Sequence, residues 1–150
     1  MLNKVLIICV GNICRSPMAA ALLRHRSNGC VQVTSAGVQA SSGAHMDPMA
    51  KAVLKDFKIK SGEHRACQVT RDMLHWADLV LLMEQQQLKR VVELAPEVRG
   101  KVFLIGKWQN DLPIADPFRR PKNAFQQTYA QLARCVDDWL PHLSQEDQQK

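Results

Sequence analysis

The sequence lacks the features of membrane and secreted proteins. Its apolar residues, 46% of 150, nowhere form an uninterrupted run near the roughly 20 residues that span a bilayer. We therefore expect no membrane insertion. The first four residues lead directly into a strand-like run, without the apolar region and small-residue cleavage site of a signal peptide. These absences predict a cytoplasmic location.

Repeats, low-complexity stretches and internal linkers are also absent. A chain of this length can build one hydrophobic core of its own. We therefore predict a single domain over residues 1–150, with a polar tail after about residue 143.

The five cysteines follow no known framework. Their number is odd, Cys9 and Cys14 lack the C-x-x-C spacing of zinc sites, and the other three are scattered. Reduced thiols therefore fit better than disulfides, and we expect no metal site. A nucleotide-binding loop of the form G-x-x-x-x-G-K-[ST] is absent as well.

Aromatic residues are scarce: three tryptophans, one tyrosine and four phenylalanines. The net charge is +6, but the basic residues are dispersed and no nucleic-acid-binding signature accompanies them. We therefore expect no nucleic-acid partner. A dispersed basic surface equally suits the attraction of anionic protein substrates.

Strand-like and helical patterns alternate along the chain. The strand-like runs lie at 4–10, 31–35, 79–83 and 102–105. Helical patterns cover 17–26 and 84–95, begin near 48 and 71, and end with a long amphipathic stretch at 122–143. This alternation predicts an α/β domain with a four-stranded parallel sheet and helices on both faces. Ligands of such sheets bind beyond the carboxyl ends of the strands.

The segment after the first strand carries the strongest chemical signal. It reads Cys9-Val10-Gly11-Asn12-Ile13-Cys14-Arg15-Ser16-Pro17. Cys9 ends the strand, while Ser16 and Pro17 are typical of an N-cap and a first helical residue. A concave turn of backbone N–H groups before a helix N-terminus forms an anion site. We therefore predict an N-terminal phosphate-binding loop.

The loop residues have distinct predicted roles. Its positive surroundings favour the thiolate of Cys9, which makes this cysteine the candidate nucleophile. The forked guanidinium of Arg15 suits phosphate oxygens. The candidate substrate-binding residues of the loop are Val10, Gly11, Asn12, Ile13, Cys14 and Ser16. Together they predict a phosphate-transferring cysteine enzyme.

A second chemical element lies in the stretch 106–122, which has neither helical nor strand periodicity. It contains Asp116-Pro117-Phe118, and long loops of compact domains are often functional. A cysteine that attacks a phosphate ester needs an acid to protonate the leaving group, and Asp116 is the candidate. Phe118, two residues beyond Asp116 in the same loop, is a further candidate substrate-binding residue.

These motifs resemble the low-molecular-weight protein tyrosine phosphatase family: C-x5-R-S-P directly follows the first strand, and D-P-F lies in a late loop. Residues 34–38 resemble the family's S-A-G segment, and 64–70 resemble its H-x-A-R-Q-[IL]-[TS] segment. Cys67 stands where the family usually has arginine. Residues 95–101 look most like bacterial members associated with exopolysaccharide or capsule synthesis.

The resemblance implies roles for the catalytic residues. Cys9 becomes a phosphocysteine, Arg15 binds the phosphate oxygens, and Ser16 donates to the thiolate. Asp116 protonates the leaving phenolate and then activates water. No metal or cofactor is implied.

The resemblance also implies supporting residues and a partner. Asn12 holds the shape of the loop together with Ser35 and His64. The substrate is a phosphotyrosine protein, and for the bacterial subgroup an autophosphorylating tyrosine kinase of polysaccharide synthesis.

Three alternatives remain. Arsenate reductases of this fold carry further cysteines after the third strand, and residues 81–88 contain none. Members that act on phosphoarginine have threonine in place of Ile13. A phosphopeptide-binding module without catalysis does not need all of Cys9, Arg15 and Asp116. The role of Cys14 stays open between packing beneath the loop and a thiol that resolves an oxidised Cys9.

Overall fold

The computed structural model describes residues 2–145, and its core is a sheet of four parallel strands. The strands are β1 (Lys4–Cys9), β2 (Gln32–Gly37), β3 (Leu79–Leu82) and β4 (Val102–Leu104), in the order β2-β1-β3-β4. The predicted four-stranded parallel sheet is therefore confirmed. Most of the predicted polar tail, residues 146–150, lies outside the described part of the chain.

Five α-helices connect and cover the strands. They are α1 (Arg15–Arg26), α2 (Pro48–Asp56), α3 (Arg71–Trp76), α4 (Gln86–Leu94) and α5 (Lys122–Trp139). Short 3-10 turns cover Pro96–Lys101, Lys107–Gln109 and Leu140–His142. The α5 helix thus stops four residues before the predicted end at 143, because Pro141 has no N–H to continue its ladder.

Strand β1 is the centre of the core. Its apolar residues alternate between two faces, as the pleat of a strand requires. Val5 and Ile7 pack with α1, α2 and α5 on one face, while Leu6 and Ile8 pack with α3 and α4 on the other. All four side chains are fully buried, which confirms that helices cover both faces.

Two of the predicted helix starts are present with their caps. The Asp47 carboxylate accepts a hydrogen bond from Met49 N at 2.9 Å, and Thr70 Oγ1 accepts one from Met73 N at 3.2 Å. The predicted N-cap role of Ser16 is wrong. Helix α1 begins at Arg15, so Ser16 lies within its first turn and its hydroxyl is free for another partner.

The topology determines where ligands meet the sheet. The chain passes from β1 to β2 on one side and to β3 on the other, so its direction across the sheet reverses beside β1. In open parallel sheets a ligand crevice forms at this reversal, beyond the strand ends. The loop that follows Cys9 therefore opens at that crevice. Within residues 2–145, none of the helices is long and apolar enough to cross a membrane.

Candidate active site

A cavity of about 280 Å³ lies at the carboxyl end of β1. It brings the predicted phosphate-binding loop next to the predicted acid, Asp116, and the aromatic Phe118. The loop and these two residues are about 100 residues apart in sequence. Its walls are formed by Cys9, Val10, Gly11, Asn12, Ile13, Cys14, Arg15, Gln39, Ser41, Asp116 and Phe118.

The carbonyl groups of the loop are held away from its centre. Val10 O accepts from Gln39 N at 3.0 Å, and Gly11 O accepts from Ser41 N at 3.1 Å. Ile13 O accepts from the N–H of Asp47, the α2 cap residue, at 2.8 Å. Three neighbouring segments thus fix the orientation of the loop's peptide planes.

The orientation of the carbonyls determines that of the N–H groups. In a planar trans peptide, C=O and N–H point in opposite directions. Because the carbonyls of residues 10, 11 and 13 bond outward, the N–H groups of residues 11, 12 and 14 point inward. Asn12 N accordingly donates to Cys9 Sγ at 3.3 Å. The loop therefore presents an inward arrangement of donors around the sulfur, which suits a phosphate.

The sulfur of Cys9 has a second partner in Ser16. Their Sγ and Oγ atoms are 2.9 Å apart. Ser16 Oγ also accepts a hydrogen bond from Asn12 Nδ2 at 2.7 Å, so its own hydrogen is available for the sulfur. Cys9 is only 2% exposed. Two hydrogen-bond donors, one from the backbone and one from a side chain, thus reach the sulfur.

Asn12 connects the loop to two other segments. It has a left-handed backbone, with φ of 61°, and is fully buried. Its Nδ2 donates to Ser35 Oγ at 3.0 Å, and its Oδ1 accepts from Cys67 N at 3.0 Å. Its carbonyl accepts from His64 Nε2 at 2.7 Å, so that ring nitrogen carries a hydrogen. The two supporting residues implied by the family, Ser35 and His64, thus both contact Asn12.

Arg15 is a buried cation, 2% exposed. Its Nη1 donates to the Glu84 carboxylate and, at 2.9 Å, to Ile114 O. Its Nη2 lies 3.7 Å from Asp116 Oδ2. A buried charge is tolerated when it is paired and hydrogen-bonded in this way. Because these partners fix the guanidinium in orientation, it can present its remaining donors to the cavity.

Asp116 and Phe118 form the opposite wall. Asp116 Oδ1 accepts from Phe118 N at 3.1 Å, a turn that orients the carboxylate. Its other oxygen faces Arg15, and the side chain is 49% exposed, so water and a substrate oxygen can reach it. Phe118 is also exposed, with the Arg119 guanidinium 5.2 Å from its ring centre.

Cys14 lies on the cavity wall but is almost completely buried. Burial, and next the negative charges of Asp47 and Asp116, raise the pKa of its thiol well above the ordinary range. Its sulfur is therefore protonated at neutral pH, which distinguishes it from an activated nucleophile.

The prediction from sequence missed Glu84 as part of the site. It lies two residues after the end of β3, the neighbour of β1, and its carboxylate pairs with Arg15. Its position at the carboxyl end of a parallel strand was the available signal. Gln39 and Ser41 were missed too, because they enter the site through their backbone N–H groups, which no residue type reveals.

Comparison with known proteins identifies relatives over nearly the whole chain. The family model of the low molecular weight phosphotyrosine protein phosphatases matches residues 4–149. The chain is 40% identical over 146 residues to the low molecular weight protein-tyrosine-phosphatase Wzb of Escherichia coli (strain K12), covering 97% of this chain and 99% of Wzb.

Two solved structures extend the comparison. Vibrio vulnificus Wzb in complex with benzylphosphonate matches with a TM-score of 0.91 and 35% identity, over 95% of this chain and 100% of that one. The YwlE arginine phosphatase from Geobacillus stearothermophilus matches with a TM-score of 0.85 and 34% identity, over 96% of this chain and 99% of that one. The same fold thus supports phosphatases for two kinds of phosphorylated residue.

Proposed function

The chain belongs to the low molecular weight phosphotyrosine protein phosphatase family and is a protein-tyrosine-phosphatase, and we propose that it works through a phosphocysteine on Cys9. The observation that carries this mechanism is the pair of hydrogen bonds to the Cys9 sulfur, from Asn12 N and from the Ser16 hydroxyl. These donors stabilise a thiolate at the base of a cavity that is shaped for a phosphate.

The first step transfers the phosphoryl group to sulfur. The Cys9 thiolate attacks phosphorus, an S–P bond forms, and the P–O bond to the tyrosine breaks. The departing phenolate takes a proton from Asp116, whose exposed carboxyl faces the cavity. Arg15 and the inward N–H groups of the loop bind the phosphoryl oxygens, on which negative charge is spread in the transition state.

The second step releases phosphate. Asp116, now a carboxylate, takes a proton from a water molecule that attacks phosphorus. The S–P bond breaks, inorganic phosphate leaves, and Cys9 returns as a thiolate. One carboxyl group thus serves as acid and then as base, which returns the enzyme to its starting protonation state.

The walls of the cavity favour tyrosine over arginine as the phosphorylated residue. Ile13 and Phe118 provide apolar surface, which suits a neutral phenyl ring. A phosphoarginine side chain also brings polar N–H groups that such walls leave unpaired. Arginine phosphatase activity is the second candidate, because the Geobacillus stearothermophilus enzyme shares the fold. In this chain the segment after β3 contains none of the additional cysteines that arsenate reductases of this fold carry. This absence argues against arsenate reduction.

We further propose a physiological partner and location. The resemblance of residues 95–101 to exopolysaccharide-associated members supports an autophosphorylating bacterial tyrosine kinase as the substrate. The reaction then takes place in the cytoplasm, where such a kinase is phosphorylated.

Matched peptides that carry phosphotyrosine, phosphoserine or phosphoarginine, assayed side by side, test this function. We expect turnover of phosphotyrosine to exceed the other two, since phosphoserine is too short to reach Cys9 from the cavity mouth. When turnover of a substrate labelled on its phosphoryl group is stopped by rapid denaturation, the label should be found on Cys9. Cys9→Ser should show neither label nor turnover. Preferred turnover of phosphoarginine would overturn the assignment of substrate.

A further inference from the structure

A second cavity, of about 390 Å³, opens directly beside the catalytic one. The two share part of their walls, namely Val10, Arg15, Gln39 and Asp116. The second cavity extends from this common wall to the first turns of α4 and is completed by Val38, Glu84, Gln86, Gln87 and Arg90. A substrate whose phosphate lies in the first cavity can therefore place a neighbouring group in the second.

Hydrogen bonds through Val38 connect Arg90 to the catalytic loop. Its Nη2 donates to Val38 O at 3.2 Å, and Val38 N donates to Cys9 O at 3.0 Å. No carboxylate of residues 2–145 forms an ion pair with Arg90. A guanidinium carries several N–H donors, so one contact with a carbonyl leaves others for a ligand.

The two acidic groups of this second cavity both lie against Arg15. Glu84 pairs with Arg15 through one oxygen and accepts from Gln86 Nε2 at 3.2 Å through the other. Asp116 also lies toward Arg15, at 3.7 Å. The two carboxylates and two guanidinium groups of the walls balance in charge, but both carboxylates lie against Arg15 and neither against Arg90. Arg90 is therefore the guanidinium that can pair with the carboxylate of a ligand.

Gln87 adds a buried donor to the same wall. It is 2% exposed, and its Oε1 accepts from Met83 N at 2.8 Å and Glu84 N at 3.2 Å, which fixes the orientation of the amide. Its Nε2 has no hydrogen-bond partner among the residues that the structure describes. Buried amide groups in folded proteins nearly always have a partner, so this donor is available to an acceptor that a ligand supplies.

The N-terminus of α4 also favours an anion in the second cavity. Gln85, the residue before the helix, forms no side-chain cap, and the first turn contains no acidic residue. The N-terminal N–H groups of a helix carry partial positive charge and attract an anion. The helix end, the guanidinium and the amide therefore all favour a ligand that accepts hydrogen bonds.

We propose that the second cavity is a subsite for an acidic side chain of the protein substrate, close in sequence to the phosphotyrosine. Its carboxylate binds Arg90 and the Gln87 amide while the phosphate occupies the catalytic loop. This inference rests on the proposed phosphotyrosine activity and adds a sequence preference to it. The preferred substrate class is then a phosphotyrosine segment with aspartate or glutamate nearby.

The test compares phosphotyrosine peptides that carry glutamate at one flanking position in turn with an otherwise identical alanine peptide. The measured quantity is the ratio of kcat/KM for the best glutamate peptide to that for the alanine peptide. A charge-assisted hydrogen bond leads us to expect a ratio of about 10 in the wild type and about 1 in Arg90→Gln. Lys89→Gln removes the same charge from the adjacent residue, which lies outside the cavity, and should keep the wild-type ratio.

A second variant tests the amide. Gln87→Glu keeps the oxygen that accepts from Met83 N and Glu84 N but replaces the donor with an oxygen, so the ratio should fall below that of the wild type. Thermal melting establishes that the variant is folded. If it is not, the Arg90→Gln comparison decides the proposal.

Three results would overturn the subsite: a wild-type ratio near one, a uniform loss on both peptides in Arg90→Gln, or an equal fall of the ratio in Lys89→Gln. The uniform loss would mean that Arg90 only holds Val38, and the equal fall would mean general attraction by the basic surface. In all three cases the alanine peptide still turns over in the wild type, which separates failure of the subsite from failure of the proposed function.

Discussion

The Ser16 hydroxyl lies 2.9 Å from the sulfur of Cys9, although the sequence pattern suggested a helix cap at this serine. Because α1 begins at Arg15, two residues before the predicted start, Ser16 lies inside the first turn and faces the end of β1. The backbone N–H of Asn12 reaches the same sulfur, and its side-chain amide orients the hydroxyl. The hydrogen bonding of the nucleophile therefore depends on these two neighbours.

The first prediction concerns this hydroxyl. Ser16→Ala removes a donor to the sulfur and should slow alkylation of Cys9 by iodoacetate at neutral pH by about tenfold, the effect of one charge-assisted hydrogen bond. Mass spectrometry of the Cys9 peptide over time measures the rate. Ser42→Ala, an exposed serine outside the cavity, serves as the matched control. An unchanged rate in Ser16→Ala would show that the other donors alone maintain the thiolate.

The second prediction separates two roles of Asp116. Asp116→Asn keeps an oxygen that can accept from Phe118 N and so preserves the turn, but it has no proton for the leaving group. We expect kcat to fall about 10²–10⁴-fold on phenyl phosphate in both Asp116→Asn and Asp116→Ala. The fall should be smaller on p-nitrophenyl phosphate, whose leaving group needs less protonation. If only Asp116→Ala lost activity, the residue would act by shaping the loop.

The third prediction concerns the Glu84 partner of Arg15. Glu84→Gln removes the carboxylate and leaves Arg15 with Ile114 O and the more distant Asp116. Because a guanidinium that has lost its partner is held less firmly, we expect kcat/KM to fall roughly tenfold. Breaking a fully buried pair costs about 3–5 kcal/mol, and since Glu84 is 26% exposed we expect a loss of about 1–2 kcal/mol in the free energy of unfolding.

Urea denaturation and steady-state kinetics measure the two effects of Glu84→Gln. Glu93→Gln removes the same charge from an exposed position of α4 and should change neither quantity. An equal loss of activity in Glu93→Gln would attribute the effect to net charge and not to the position of Arg15.

The fourth prediction concerns Cys14 under oxidation. If Cys14 resolves an oxidised Cys9, brief peroxide treatment of the wild type should give a disulfide that a dithiol reverses, and Cys14→Ser should lose this recovery. The attacking species is the thiolate, and burial raises the pKa of the Cys14 thiol well above its ordinary range. The thiolate is thus a minor species across the neutral range, and its fraction grows about tenfold for each unit of pH.

Disulfide closure should accordingly accelerate between pH 7 and pH 9 without reaching a plateau. Stopped reactions analysed by mass spectrometry give the closure rate, and circular dichroism checks that the fold persists at each pH. Direct passage of Cys9 to sulfinic acid, with equal recovery in wild type and Cys14→Ser, would assign Cys14 to packing alone.

Local patterns predicted much of this protein. The run from Val5 to Ile8 predicted a buried strand, because continuous apolar residues in a parallel sheet pack on both faces. The helix starts predicted near 48 and 71 are present, since the side chains of the preceding residues, Asp47 and Thr70, cap N–H groups a few residues along the chain. These signals are readable because the interacting groups are close in sequence.

The positions of residues along the sequence also predicted the reactive groups. The cysteine and the arginine lie in one loop between a strand and a helix, and the aspartate lies in an aperiodic stretch before α5. The chemistry of these side chains suggested phosphate transfer before any fold was known. Their meeting around one cavity is a property of the sheet, which places the carboxyl end of β1 beside the 106–122 segment.

Sequence by itself thus determined the strands, several helix starts and the identity of the reacting groups, since these depend on side-chain chemistry and on neighbours along the chain. Only the tertiary structure decided that Glu84 pairs with Arg15 and that Arg90 lies beside the catalytic loop. These contacts join segments through parallel strand pairing and helix packing. Because they depend on orientation at a distance, no local pattern of residues encodes them.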